Sequence, residues 1–240
     1  MHNKEFTAED FKTGQILLFD KPLEWTSFQV VNKVRWMIRK SCGIKKIKVG
    51  HAGTLDPLAS GLLVICTGKF TKKIPELQGQ EKEYTGTFTI GSTTPSYDLE
   101  TEIDKTYPTE HITSEDIAKA AAKFTGEIEQ IPPVFSALKK DGKRLYEYAR
   151  KGEEIKVKSR QVEISEFEVD DSNFPEVSFR VVCSKGTYIR SLAHDFGQVL
   201  NSGAHLSALK RTRIGDFELS NAFSIKSFEN LLPSQENKSA

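Results

Sequence analysis

Between Tyr84 and Ile90 the chain alternates strictly. Tyr84, Gly86, Phe88 and Ile90 fall on one face, and Thr85, Thr87 and Thr89 on the other. A period of two over seven residues is the mark of a half-buried strand. Val177, Phe179, Val181 and Cys183 repeat the pattern, GQILLFDKP reads as a strand ending at a turn, and the apolar run LLVICTG is short enough for a buried strand. Helical spacing appears between these segments. Thr26 or Ser27 caps a helix carrying Phe28, Val31, Val34 and Ile38, which closes near Gly43. Thr113 with Asp116 opens a second, with Ile117, Ala120, Ala121 and Phe124 on one side and Gly126 at its end. LYEYARKG reads as another, and the turn KGT leads into a helix with Ile189, Leu192, Ala193, Phe196, Val199 and Leu200 on its apolar face. Strands and helices mixed without strict βαβ alternation predict an α+β fold, a mixed and mostly antiparallel central sheet flanked by helices and loops.

With 240 residues, of which 38% are hydrophobic and 28% charged, the chain can bury a real core, and disorder as its main state is excluded. No linker divides it, so a single domain over 1–240 is expected, with 234–240 a flexible tail. No stretch approaches the roughly 18 apolar residues of a membrane span, and acids stand where a signal peptide would have its apolar stretch. Cys42, Cys66 and Cys183 form neither a metal pair nor a disulfide framework. These features predict a cytoplasmic protein with packing thiols and no membrane association.

The net charge of +1 conceals segregation. From Trp25 to Leu55 there is no Asp or Glu, while Lys33, Arg35, Arg39, Lys40, Lys45, Lys46 and Lys48 are all positive. A second basic block runs from Lys139 to Arg160 and includes Lys143 and Arg144, and Lys210, Arg211 and Arg213 make a third. Such blocks are either solvated faces or a surface for a polyanion.

Motifs exclude several chemistries. Gly61 and Gly68 are seven positions apart and Phe70 follows Lys69, so GLLVICTGKF is no P-loop, and the serine-hydrolase, zinc-protease and dinucleotide signatures are missing. No His stands at a metal-ligand spacing from a Cys or carboxylate, so neither metal nor cofactor is predicted. What remains is GHAGTLDPLASG, a loop in which Pro57 suits the first position of a helical turn and Asp56 its N-cap. Asp56 is either that cap alone or a carboxylate nucleophile. Arg190 falls in the first turn of a helix, where the macrodipole disfavours a cation, so a phosphate or a carboxylate is expected to hold it. Tyr84 is a core or edge aromatic, or a stacking surface for an unpaired base.

GHAGTLDPLASGLL, GKFTK, KEYTGTFTIG, IPPVFSALKKDGKRLYEYARKGEEI, CSKGTYIRSLAHDFG and GAHLSALKRTRIGDF, in this order, resemble the bacterial tRNA pseudouridine-55 synthase (TruB) family over about residues 14 to 226. The resemblance implies the pseudouridine synthase fold and isomerisation of uridine to pseudouridine at position 55 in the T-loop of tRNA, by base flipping, without a cofactor. It implies that Asp56 is the catalytic aspartate, attacking base or sugar, that Arg190 pairs with it, and that Tyr84 stacks on the target base. His51 matches the histidine that fills the space of the flipped nucleotide. Lys21 and Pro22 match a supporting motif, and Lys72 and Leu209 match positions lining the site. The partner implied is tRNA, through its T-loop and stem, with Lys45, Lys46, Lys143 and Arg144 among the residues that would hold its backbone; no protein partner is implied. Many relatives carry a C-terminal PUA domain, whereas a catalytic domain alone is expected here, and GSTTPSYDLETEID stands where others have a loop richer in Asp, Asp98 keeping the acid. The rival from another class is a tRNA-binding module or RNA chaperone without required catalysis. A carboxylate glycosidase would need a second catalytic acid.

Overall fold

In a computed structural model the described residues are 6–233, apart from 137, 141 and 154. The expected flexible tail, 234–240, lies outside them. The chain forms two compact units interleaved in sequence, Met1–Lys82 with Lys210–Ala240, and Glu83–Leu209.

The first unit opens with α1 (Ala8–Thr13), β1 (Ile16–Lys21), α2 (Ser27–Cys42), β2 (Val49–Ala52), β3 (Ala59–Thr67), a 3-10 helix over Gly68–Lys73 and α3 (Ile74–Gly79). β3 pairs antiparallel with both β1 and β2. Its unbroken apolar run follows from burial on both faces. Leu63 and Ile65 join Val30, Val31, Val34, Met37 and Ile38 of α2, whereas Leu62, Val64 and Cys66 pack with Ala52, Leu77 and Ile214.

The second unit holds β4 (Lys82–Ile90), β5 (Ser92–Thr93), β6 (Lys105–Thr106), α4 (Ser114–Phe124), β7 (Gly126–Gln130), β8 (Lys139–Lys140), β9 (Lys143–Arg144), α5 (Leu145–Ala149), β10 (Arg160–Asn173), β11 (Glu176–Cys183) and α6 (Ile189–Val199). β12 (Ala204–Ile214) serves the second unit up to Leu209 and the first from Lys210, and β13 (Phe217–Glu218) and α7 (Ile225–Asn230) complete the first. Strands of the second unit lie in the order β12, β4, β11, β10, β7, with antiparallel ladders from β11 to β10 and from β10 to β7. The alternation of β4 and β11 directs Phe88 and Phe179 to one face. There they stack at 4.2 Å and meet Phe196 of α6 and Phe167 of β10.

The α+β expectation holds. The ladders of β3 with β1 and β2, and of β10 with β11 and β7, are antiparallel, and the isolated bridges Phe19 to Phe223 and Asp98 to Leu206 are parallel. Thr26 caps α2 and Thr113 caps α4, each in a reciprocal capping box, with Gly43 closing α2 in the left-handed region. Phe28 departs from the expected core stripe and is 63% exposed. At 100° per residue it lies only about 20° from Arg35, on the outer edge of the helix. The GHAGTLDPLASG segment is less of a loop than expected, because His51 and Ala52 end β2 and Ala59 begins β3. Among the described residues no helix is long and apolar enough to cross a membrane.

Candidate active site

Asp56 occupies the tight turn between β2 and β3. The amide of Ala59 donates to the Asp56 carbonyl at 3.1 Å, so residues 56 to 59 form a β-turn and not the predicted helical one. β3 starts at Ala59, and its pairing extends the chain before a second helical turn can form. Side chains from the end of β1, the start of α2 and β12 take up carbonyls of this turn and its surroundings. Arg211 donates from Nη2 to the Gly53 oxygen at 3.1 Å and from Nε to that of Leu62 at 2.8 Å. Ser27 Oγ donates to the Leu55 carbonyl at 3.0 Å and accepts from the Leu55 amide at 2.8 Å. The Lys21 ammonium donates to the carbonyl oxygens of Pro22, Trp25 and Pro57. Three N–H donors meet three acceptors, so this fully buried cation is satisfied.

Burial is the main cause that lowers the Lys21 pKa to about 8, opposed by the field of Asp56 and reinforced by that of Arg211. At neutral pH it therefore stays an ammonium beside the half-buried Asp56 carboxylate. His51, also half-buried, has its pKa lowered, chiefly by burial and further by Arg211, against the Gly53 backbone.

Arg190 is the second residue of α6 and is buried. Gln130, itself buried, accepts from the Tyr188 amide at 2.7 Å and donates to its carbonyl at 3.0 Å, fixing the start of the helix. Arg190 Nη1 donates to the Phe135 carbonyl at 2.9 Å and to that of Ser96 at 3.3 Å. Its Nε lies 3.6 Å from Asp98 Oδ2, both side chains being buried. The cation disfavoured by the helix dipole thus has a carboxylate from the 91–104 loop, the acid that the sequence retains there. Asp98 Oδ1 accepts from the Glu100 amide at 3.0 Å.

Of the other expected residues, Pro22 follows Lys21 and contributes its carbonyl to the ammonium. Tyr84 is buried on β4, and Leu209 is half-buried on β12. Lys46 and Lys72 line one recess of the first unit, whereas Lys45 lines another with Trp36, Arg39 and Lys40. Lys143 and Arg144 form the short exposed strand β9 in the second unit, their cations over the rings of Tyr148 and Tyr146. Arg211 corrects the reading of the third basic block as a surface, being 1% exposed beneath the turn. Its role and that of Ser27 carry no sequence signal, since both act on backbone carbonyls far along the chain. Among the described residues no group of three or more His, Cys, Asp or Glu could hold a metal ion.

The chain matches the N-terminal domain of the TruB family of pseudouridylate synthases over residues 39–189 and the tRNA pseudouridylate synthase B C-terminal domain over 190–240. It is 63% identical over 227 residues to the tRNA pseudouridine synthase B of Flavobacterium johnsoniae, covering 94% of this chain and 99% of that protein. With that of Phocaeicola vulgatus the identity is 60%, covering 95% and 97%. Among solved structures it is similar to a Cbf5-Nop10-Gar1 complex, with a TM-score of 0.68 and 30% identity over 92% of this chain and 54% of that one. An H/ACA RNP bound to a substrate RNA containing 2'-deoxyuridine gives a TM-score of 0.64 and 28% identity, covering 92% and 53%. The chain spans about half the length of these two structures. Two adjoining family domains, a shared fold and near full-length relatives agree with the motifs, and the chain belongs to the TruB family of pseudouridylate synthases.

Proposed function

We propose that the protein isomerises uridine to pseudouridine at position 55 in the T-loop of tRNA, with Asp56 as the nucleophile. The observation that carries this reading is the turn itself, a half-buried carboxylate on a backbone whose Gly53, Leu55 and Pro57 carbonyls are held by Arg211, Ser27 and Lys21. Such anchoring keeps the carboxylate in place as the reacting nucleotide approaches, which is what preorganisation requires. Asp56 attacks the extruded nucleotide at the base or at the sugar carbon, the bond from C1' to N1 breaks, and the base turns. A bond from C1' to C5 forms as the bond to Asp56 breaks and returns its electron pair to the carboxylate, the C5 proton leaves, and N1 gains one. Atoms and electrons balance without a second substrate. Tyr84, Arg190 and His51 serve this reaction in the roles that the family resemblance gives them, Lys21 and Pro22 support the turn, and Lys72 and Leu209 line the site. Extruding the nucleotide costs a few kcal/mol, least in a loop already unpaired, and the exposed cations Lys45, Lys46, Lys143 and Arg144 supply backbone binding energy that offsets it.

Release of tritium from tRNA labelled at uridine C5 tests the reading. Asp56→Asn is expected to bind tRNA and release none, whereas release at the wild-type rate would remove Asp56 from the chemistry. Wild-type protein that binds tRNA yet releases no tritium would mark a binding module instead.

A further inference from the structure

Five lysines converge on one recess of the first unit. It measures about 290 Å³, and its lining includes Lys12, Lys46, Lys48, Lys69 and Lys72 and no carboxylate. These lysines come from α1, from the segment before β2 and from the 3-10 helix after β3. All five are exposed, so the recess opens to solvent.

Gly68 is the reason that the three segments meet. Its amide donates to the Lys48 carbonyl at 2.9 Å. Its φ is +51°, and a Cβ there would lie 2.1 Å from the Lys12 carbonyl oxygen and 2.4 Å from that of Phe11. Any side chain would push α1 away. Phe11 is fully buried and anchors α1 in the core, and Thr71 Oγ1 donates to the Gly68 carbonyl at 2.9 Å. The lysine-bearing backbones are therefore packed around one glycine, and the cluster is built into the fold.

Five like charges around one small volume repel one another, and no acid in the lining relieves them. The neighbouring Lys73 is placed otherwise, with its Nζ over the Phe70 ring at 4.2 Å. A fold that holds this cluster in place has a polyanion to gain from it.

We propose that the recess seats the phosphodiester backbone of the RNA substrate, with Lys12, Lys48 and Lys69 acting in docking and not in the reaction. The inference rests on the RNA-modifying reading above. It adds Lys12 and Lys69, which lie outside the basic blocks of the sequence, and gives Lys46 and Lys72 a shared seat.

The test compares the full-length protein with the triple variant Lys12→Gln, Lys48→Gln, Lys69→Gln in binding labelled tRNA between about 50 and 200 mM KCl. Each phosphate that the variant no longer neutralises lowers the slope of log affinity against log salt by about one, so the slope is expected to fall by about two to three. Affinity at the low-salt end should drop about tenfold or more. The melting temperature should stay level or rise, because repulsion is removed, and turnover at saturating tRNA should persist. Wild-type slope and affinity in the variant would overturn the proposal, as would abolished turnover with unchanged affinity. If inorganic phosphate at matched ionic strength weakens wild-type binding to the level of the variant while the two slopes coincide, the recess is a free-phosphate site and the proposal fails. A changed slope alongside a wild type that forms no pseudouridine would keep the recess and defeat the catalytic reading.

Discussion

Buried charges in this protein are tolerated according to what each one meets. Lys21 finds the carbonyls of Pro22, Trp25 and Pro57, Arg211 those of Gly53 and Leu62, and Arg190 those of Ser96 and Phe135 and the Asp98 carboxylate. Asp195 in α6 has none of this. Among the described residues it has no hydrogen bond, and burial alone raises its pKa from 3.8 to about 6. The same carboxylate, after burial, pushes the Tyr97 hydroxyl pKa upward. A raised pKa means that the folded state holds the proton more tightly than the unfolded chain. Its contribution is present below about pH 4 and is lost as pH rises through about 6. Asp195→Asn, which needs no ionisation, is expected to melt a few degrees above wild type at pH 7.5, with the gap closing toward pH 4. Thermal unfolding at the two pH values checks this, and a gap independent of pH would refute it.

At the scale of elements, capping and periodicity put α2 and α4 where the sequence does, because Thr26 with Gln29 and Thr113 with Asp116 satisfy helix-end amides using only local residues. β3 is different. Its Gly61 stands opposite Lys21 of β1, has φ +97°, and a Cβ there would lie 2.3 Å from the Arg211 backbone oxygen. The glycine lets β12 approach closely enough for Arg211 to reach the turn. Gly61→Ala is expected to cost about 2–4 kcal/mol through overpacking and a strained φ, read as a lower midpoint in urea. Turnover of the fraction that folds should fall as well, since the anchors at Gly53 and Pro57 are both attached next to the displaced residue. Unchanged turnover per folded molecule would separate the strand from the site.

For the whole molecule, the three thiols report integrity. Cys66 and Cys183 are buried, and burial raises the Cys66 pKa to about 11, whereas Cys42 is half-buried near the end of α2. A thiol reagent at neutral pH is expected to modify Cys42 first and the other two only after global unfolding; fast labelling of all three in the native state would contradict the packing. From the sequence alone came the α+β class, the helix caps, the strands of alternating residues, the family, and Asp56 as the residue to examine, because each rests on local spacing or on motifs read in order. The tertiary structure decided the rest. Arg211 reads as one more cation in a basic triplet, yet it spans 158 positions to hold Gly53, and Ser27 spans 28 to hold Leu55. Asp98 reads as one acid in an acidic loop until it meets Arg190. Periodicity tells which side a residue faces; what it meets there depends on how distant segments pack, and those neighbours set the charge, the reach and the rigidity of the site.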